Sequence, residues 1–252
     1  MALYDMHCHL DFADNDKQVA ADSQGYGIKA LCDTVVPSSF VSASEQLKPW
    51  DNIAVALGMH PWWIAQGRVS TADVLHFESL MGTTPFIGEI GLDFHGKYSD
   101  SRDHQLEILC RILEGLKASE ERKVVFLHSV KATTETLDLL ERYGTLDQHT
   151  CAFHWFSGSH DEFGRALSLG CSFSVGMRML ATDKGREFAQ AIPLERLMIE
   201  TDSPAHEGMM WSADAWHQEL ANTVSDLAEL RQMKKDELER ALEANSSALL
   251  GF

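Results

Sequence analysis

The chain of 252 residues lacks several features that would each point to a different class of protein. Its five cysteines are odd in number and form no Cys-x-x-Cys pair, which argues against a disulfide framework. No apolar run approaches the roughly 20 residues that a membrane-spanning helix needs, so we expect no membrane partner. The first residues, Met1 to His7, contain neither a basic nor an apolar stretch. We therefore expect no signal peptide and a cytoplasmic protein.

Basic residues are also scarce, with 21 lysines and arginines against 38 acidic residues and a formal net charge of -17. Counterion release from a broad basic face is therefore excluded as a source of affinity for nucleic acid. A DNA partner would have to be held locally, by metal ions and a few cations, or be delivered by a basic protein partner.

Apolar, β-branched runs recur along the chain and alternate with polar segments of helical length. No linker, low-complexity segment or internal repeat divides them, so we expect residues 1–252 to form a single domain. Strand followed by helix, eight times over, predicts an α/β fold, the (β/α)8 TIM barrel. The predicted strands are 3–9, 28–36, 53–59, 86–90, 123–128, 150–155, 171–175 and 197–201.

Helical periodicity is clear in residues 100–119 and 133–143. Residues 213–231 and 234–250 are predicted to form C-terminal helices that cover the barrel. Side chains of the N-cap type precede several predicted helices, namely Ser38 with Ser39, Ser70 with Thr71, Thr133 with Thr134, and Ser157 with Ser159.

Metal-ligating side chains occur at or just past the ends of predicted strands, where barrel enzymes carry their active sites. His7 and His9 are two residues apart, so both imidazoles project to the same side of the strand and Cys8 points away. Four imidazoles and two carboxylates are enough for two divalent cations, such as Zn, Mn or Mg, and predict metal-assisted hydrolysis. The six residues are His7, His9, Glu89, His128, His154 and Asp202.

Five short motifs, in this order, resemble the TatD family of metal-dependent deoxyribonucleases within the amidohydrolase superfamily. They are HCHLD (7–11), GEIGLD (88–93), LHS (127–129), FHWFSG (153–158) and ETDSP (200–204). The resemblance implies that His7, His9, Glu89 and Asp202 hold one metal, and that Glu89 bridges to a second metal held by His128 and His154. It favours a nuclease that trims single-stranded DNA from an end, with Asp202 as the group that accepts the proton of the attacking water.

Two departures from the family pattern concern the substrate. Family members commonly carry an arginine two residues after the fifth-strand histidine, where this chain has Val130, and a basic stretch after ETDSP, where residues 205–211 are not basic. Arg178 and Lys184, after the seventh strand, are the nearest replacements for phosphate binding, although each is also a candidate solvated surface cation.

The third predicted strand ends in a histidine followed by proline and two tryptophans. We expect His60 to contact substrate and Trp62 or Trp63 to stack on an unpaired base, which is worth roughly 1 to 3 kcal/mol per base. Packing in the core or at its rim is the alternative for both indoles. The HPWW form and the acidic composition also resemble the TatD-like component of the four-gene Qat anti-phage systems.

The sequence leaves other roles open. Asp5, Asp11 and Asp93 are candidates either to orient ligands or to cap and solvate the surface. A bimetal centre attacks carbonyl carbon as readily as phosphorus, so an ester or amide hydrolase such as a D-aminoacyl-tRNA deacylase is the alternative function, favoured by the acidic charge. A non-catalytic scaffold is disfavoured by the complete ligand set. The acidic residues between Glu219 and Glu243 are a candidate contact for a basic partner, or a solvated helix face.

Overall fold

The computed structural model describes residues 2–252, in which eight parallel strands form one sheet whose order follows the chain. The first and last strands come together through backbone hydrogen bonds, from Asp202 N to His7 O (2.9 Å) and from His9 N to Ser203 O (2.9 Å). The predicted (β/α)8 barrel is therefore confirmed. The strands are β1 (Leu3–Cys8), β2 (Ile28–Asp33), β3 (Ile53–Met59), β4 (Phe86–Asp93), β5 (Val124–Val130), β6 (Thr150–His154), β7 (Ser172–Val175) and β8 (Leu197–Ile199).

Helices surround the strands, and the last two pack against β1 and β8 at the closure of the barrel, as the sequence predicts. Within residues 2–252 none of them is both long enough and apolar enough to span a bilayer. The α-helices are α1 (Asp16–Gly25), α2 (Pro37–Leu47), α3 (Pro61–Ala65), α4 (Thr71–Leu80), α5 (Arg102–Lys117), α6 (Thr133–Tyr143), α7 (Thr145–Gln148), α8 (His160–Ser168), α9 (Met177–Leu180), α10 (Asp183–Ala191), α11 (Ala213–Leu230) and α12 (Lys235–Leu250).

The N-cap predictions hold at two helices and are wrong at two. The hydroxyls of Ser70 and Ser159 accept hydrogen bonds from backbone N–H groups of the first turns of α4 and α8. At α2, however, the N-cap is Val36, and Ser39 lies inside the helix, where its hydroxyl accepts from the Val36 N–H. At α6 the N-cap is Ala132. Pro37 explains the first error, because its fixed φ suits the first helical position.

Several strand ends also differ from the prediction, and the ends of β2 and β4 differ most, by three residues each. β2 stops at Asp33 rather than at residue 36, because Val36 is already the N-cap of α2. β4 continues to Asp93, pairing its last residues with His128 to Val130 of β5. Glu89 therefore lies within β4, not at its end.

Apolar side chains fill the barrel interior at the amino ends of the strands. There the hydroxyl of Tyr4 donates to the carbonyl of Phe252 (2.6 Å), which ties the residues after α12 to β1. A separate and larger apolar cluster lies between the strands and the helices. We call the first set the inner apolar cluster; it comprises Tyr4, Met6, Leu31, Ala54, Ala56, Phe86, Val124, Phe126, Ala152, Met198 and Leu250.

A register shift in β1 changes which residues face the interior. Tyr4 and Met6 belong to the inner apolar cluster, whereas Cys8 packs in the outer one. Strict alternation would place all three on one side, so the irregularity between Asp5 and Cys8 reverses the pattern. From that point the odd-numbered His7 and His9 face the interior.

Candidate metal centre

Glu89 lies at the middle of the predicted ligands and is 1% exposed. Its Oε2 is 3.4 Å from His7 Nε2 and 3.5 Å from His9 Nε2. Its Oε1 is 2.6 Å from His128 Nδ1 and 2.7 Å from His154 Nε2. The two oxygens of one carboxylate thus face two different pairs of imidazoles, which is the arrangement that a bridging ligand requires.

His7 and His9 present Nε2 in the form that binds a metal. The Nδ1 of His9 lies 2.7 Å from the backbone carbonyl of Asp33, which only accepts hydrogen bonds, so this nitrogen carries the proton. The Nδ1 of His7 likewise faces the Asp33 carboxylate at 3.3 Å. Burial lowers the pKa of both rings, but the neighbouring carboxylates outweigh it and raise the pKa well above the usual value when no metal is bound. In the neutral form that binds a metal, the lone pair is on Nε2, directed at Glu89.

Asp202 completes the side of the centre that contains His7 and His9. Its Oδ1 is 3.4 Å from His9 Nε2 and 3.7 Å from His7 Nε2, while its Oδ2 accepts from Arg178 Nη1 at 2.6 Å. Burial would raise the pKa of Asp202, but the hydrogen bond from His9 and the neighbouring imidazoles lower it below its usual value. Asp202 is therefore ionised at neutral pH.

His128 and His154 form the other side. The Nε2 of His128 is 3.2 Å from Asp93 Oδ2, and the same oxygen accepts from Trp62 Nε1 at 2.5 Å. Burial lowers the pKa of His128, but Glu89 and Asp93 outweigh it and raise the value to about 9. For His154, burial and the charge of His7 lower the pKa to about 4. Without a metal, His128 thus carries a positive charge beside Glu89, as His7 and His9 do.

His60 joins this second side, which the sequence did not predict. Its Nδ1 accepts from the Trp62 backbone N–H at 3.0 Å, so the proton of the neutral ring is on Nε2. That nitrogen lies 3.2 Å from Glu89 Oε1, to which it donates. Burial lowers the pKa of His60 and favours the neutral form. In this tautomer His60 orients the central carboxylate rather than lending a lone pair to a metal.

The donor set fits divalent cations. Among the described residues, the ligand atoms fall into three groups within 4.8 Å of one another: His7 with His9 and Glu89, His7 with His154 and Asp202, and His60 with Glu89 and His128. Three buried imidazole nitrogens, His7 Nδ1, His7 Nε2 and His154 Nδ1, have no hydrogen-bond partner, and of these His7 Nε2 faces the carboxylates of Glu89 and Asp202. Buried polar atoms are rarely left unpaired, and a nitrogen lone pair facing carboxylates is what a bound cation satisfies.

A cleft of about 410 Å³ opens over Glu89 and Asp202, and all four residues predicted to contact substrate line it. Trp62 is 36% exposed, whereas Trp63 is only 9% exposed and packs near Phe12, with ring centroids 6.1 Å apart. Trp62 is therefore the better placed of the two indoles to meet a ligand. Arg178 reaches the cleft as well, although one of its N–H groups is already bonded to Asp202.

Comparison with known proteins supports the resemblance. The family model for TatD related DNase matches residues 4–251. The chain belongs to this family. It is 27% identical to the metal-dependent hydrolase YjjV of Escherichia coli K12 over 97% of this chain and 96% of that protein. It is also 31% identical to the 3'-5' ssDNA/RNA exonuclease TatD of Citrobacter rodentium, over 58% of this chain and 56% of that protein. The chain is accordingly a metal-dependent hydrolase of the TatD family.

Solved structures share the barrel. The crystal structure of the E. coli K12 YjjV superposes with a TM-score of 0.84 at 24% identity, covering 99% of this chain and 98% of that one. A TatD-family hydrolase from Entamoeba histolytica gives a TM-score of 0.79 at 17% identity, with the same coverage of each chain. These likenesses agree with the eight-stranded fold.

Two buried carboxylates of this TatD-family site escaped the sequence analysis. Asp33, at the end of β2, is fully buried beside His7 Nδ1. Glu200 accepts hydrogen bonds from the Trp155 N–H (3.0 Å) and the Ser174 hydroxyl, and burial raises its pKa well above the usual range. In both cases the available signal was an acidic residue at, or directly after, the carboxyl end of a mostly apolar strand.

The three other aspartates divide between roles. Asp93 lies 3.2 Å from His128 Nε2, a contact that fits the expected role of orienting a ligand. Asp5 instead accepts from Trp216 Nε1 and Thr201 Oγ1, each at 2.6 Å, and so connects β1 to α11 and to the end of β8. Asp11 lies 3.6 Å from the Cys32 sulfur and contacts no predicted ligand directly.

Glycines of the GEIGLD motif let β4 approach its neighbours. A Cβ at Gly88 would lie 2.2 Å from Asp33 Oδ1, and one at Gly91, where φ is +142°, would lie 2.0 Å from the His128 carbonyl oxygen. Any larger residue would push β4 away from β2 or β5. The motif therefore sets the position of Glu89 through its glycines as well as through the carboxylate itself.

Proposed function

We propose that this chain is a two-metal phosphodiesterase that removes nucleotides from an end of single-stranded DNA. The observation that carries the two-metal part is the division of Glu89, with Oε2 facing His7 and His9 and Oε1 facing His128 and His154. The nuclease part is supported by membership of the TatD related DNase family and by the exonuclease named among its relatives.

Each residue of the centre has its own role in the proposed reaction. His7, His9 and Asp202 would hold one cation, His128 and His154 the other, and Glu89 both. Such cations lower the pKa of water toward neutrality and polarise the scissile phosphoryl oxygen. Asp202, kept ionised by its surroundings, accepts the proton of the attacking water. Arg178 holds the Asp202 carboxylate in place by its Nη1 bond and directs its remaining N–H groups to the cleft, where they would bind phosphate.

The arrangement suits short, local contacts with DNA. The cleft contains two arginines, Arg68 and Arg178, on a chain whose formal net charge is -17. Only one or two phosphates would then be neutralised by side chains, so binding should depend weakly on salt concentration. A steep salt dependence on long duplex DNA would contradict this mode of binding.

A second function remains a candidate because Arg178 is already bonded to Asp202. An arginine whose charge is balanced by a carboxylate attracts phosphate less, and the centre would then hydrolyse a carbonyl ester, as in a D-aminoacyl-tRNA deacylase. The Arg178→Ala variant separates the two functions. It should weaken hydrolysis of a phosphodiester far more than hydrolysis of a neutral ester.

The decisive experiment compares substrates on one preparation. Metal-stripped protein reloaded with Zn, Mn or Mg is incubated with end-labelled single-stranded DNA, the matching duplex and an aminoacyl ester, with Glu89→Gln as the inactive control. Progressive shortening of the single strand from one end supports the proposal. Turnover of the aminoacyl ester alone would replace it by the second function.

A basic protein partner would bring DNA to a nuclease centre whose own surface is acidic. We propose that such a complex acts in anti-phage defence. The acidic residues of α11 and α12 are the contact that we propose. Reversing the charge of Glu229, Asp236, Glu239 and Glu243 together should abolish co-purification with a basic product of a neighbouring gene, while hydrolysis of a short substrate persists. Full activity on DNA with no bound partner would contradict the proposed complex.

A further inference from the structure

Beside the cleft lies a second cavity, of about 550 Å³, that also reaches the metal centre. His154 and Asp93 line it from the side of the ligands. The two cavities share Trp62 and Tyr98, whose rings stack with centroids 5.3 Å apart and planes inclined by 15°. We call this cavity the aromatic lobe; its apolar wall consists of Trp62, Tyr98, Val130, Trp155, Phe156 and Met179.

The cleft and the aromatic lobe differ in charge. The cleft contains Arg68 and Arg178, whereas Lys184 is the single lysine or arginine among the described residues that line the lobe. Its ammonium group already donates to the Ser157 carbonyl at 2.9 Å. Both arginines are paired with carboxylates of the cleft, Arg68 with Glu207 (3.6 Å) and Arg178 with Asp202 (2.6 Å). The cleft is therefore the more strongly charged cavity, and an uncharged group would be favoured in the lobe.

Trp155 gives the lobe an exposed aromatic face. Trp155 is 38% exposed and follows directly after β6. Its backbone has a left-handed φ of +37°. The backbone at this position is fixed by the hydrogen bond from its N–H to buried Glu200. A non-glycine residue held in that conformation points to a functional constraint on where the indole lies.

We infer that the aromatic lobe binds one unpaired nucleobase of the nucleotide next to the scissile phosphate. The inference rests on the proposed nuclease function and specifies how that site recognises its substrate. Every base has a π-face that stacks on tryptophan or tyrosine, so such a lobe accepts a base regardless of sequence. Ser129 and Thr182 also line the lobe, but their hydroxyl groups are already bonded within the protein, to Thr133 and to Met179 and Gly185, so recognition of the base rests on stacking.

Direct binding tests the lobe without hydrolysis. Thymidine, which has no phosphate, is titrated into the full-length protein while tryptophan fluorescence and NMR shifts of the indole N–H groups are followed, with 2-deoxyribose as the matched ligand without a base. Thymidine should bind and 2-deoxyribose should not. Trp155→Ala should raise the Kd for thymidine roughly five- to hundredfold, and Trp155→Phe should restore most of the affinity.

Hydrolysis tests the same lobe in turnover. Thymidine trinucleotides that carry an abasic residue at each position in turn are compared with the intact trinucleotide on metal-loaded protein. One abasic position should lower kcat/KM roughly five- to hundredfold, and Trp155→Ala should bring that ratio close to one. Tyr26→Ala is the control variant, because this tyrosine is similarly exposed at 41% and lies outside both cavities.

The outcomes separate the two proposals. Thymidine binding that depends on Trp155, together with no cleavage of any trinucleotide, would sink the nuclease function and keep a nucleobase site. Cleavage that is indifferent to every abasic position, together with no thymidine binding, would overturn the lobe and keep the nuclease. A loss on Trp155→Ala that is equal for intact and abasic trinucleotides would also overturn the lobe, because it would indicate a general disturbance of the centre.

Discussion

At the amino ends of the strands, apolar side chains fill the barrel interior, whereas at the carboxyl ends buried imidazoles and carboxylates face one another. Leu31 and Met6 are fully buried among carbon atoms in the first region. His7, Glu89 and Asp33 are equally buried in the second, but three imidazole nitrogens and both oxygens of Asp33 there lack any hydrogen-bond partner. The apolar side chains of the first region need no partner outside the protein, whereas the unpaired polar atoms of the second region are completed by a bound cation. The same barrel thus separates the source of stability from the source of chemistry.

Replacing Glu89 should have the largest effect on metal binding and on activity. Glu89→Gln removes the charge that both sides of the centre share, so we expect the loss of bound metal and a fall in kcat/KM well beyond the roughly hundredfold typical of an orienting residue. Elemental analysis and ester hydrolysis would measure the two losses. Glu107→Gln, on the exposed face of α5, is the matched control and should bind metal normally. Retention of two metals by Glu89→Gln would contradict the bridge.

At the amino ends of the strands we expect the opposite result, a loss of stability without a loss of metal. Leu31→Ala leaves a cavity in the inner apolar cluster and should lower the free energy of unfolding by about 2 to 5 kcal/mol. Chemical denaturation would measure it, and Leu75→Ala, at a position 55% exposed on α4, should change stability little. Metal content per folded chain should stay the same. A loss of metal without a loss of stability would break the separation between the two ends.

A substitution at Asp33 tests how much the orientation of His7 contributes to metal affinity. Asp33→Asn removes the carboxylate beside His7 Nδ1, and we expect metal affinity to fall roughly ten- to hundredfold. The change should fall on one of the two sites, which titration with a colorimetric chelator would resolve. Asp51→Asn, at an exposed position before β3, serves as the control. Equal weakening of both sites would show that Asp33 acts through the fold rather than through His7.

The smallest effect is expected at Trp62. Trp62→Phe keeps a ring that stacks on Tyr98 but removes the N–H group bonded to Asp93 Oδ2. Asp93 would then hold His128 less firmly, and kcat/KM should fall roughly two- to tenfold. Trp50→Phe, outside both cavities, is the matched control. An unchanged rate together with unchanged metal affinity would remove Asp93 and Trp62 from the second side of the centre.

Much of this molecule could be predicted because strand periodicity and helix periodicity are local. The eight strands and the C-terminal helices follow from runs of apolar residues, and the family follows from five motifs in order. Errors arose where a local preference met a stronger constraint. Ser38 and Ser39 are N-cap residues by type, yet Pro37 starts α2 one residue after Val36. The predicted end of β4 was early because pairing with β5 extends the strand to Asp93.

By itself the sequence determined the order of strands and helices and the residues that gather at the carboxyl ends of the strands, since both depend on spacing along the chain. Only the tertiary structure decided which side chains face inward after the register shift in β1, because one bulged residue reverses the alternation without changing the composition. The contact of Asp33 with His7, the contact of His60 with Glu89, the bond between Arg178 and Asp202, and the aromatic lobe were likewise decided there. Each joins residues from different strands or loops, and no spacing within one segment encodes such a contact.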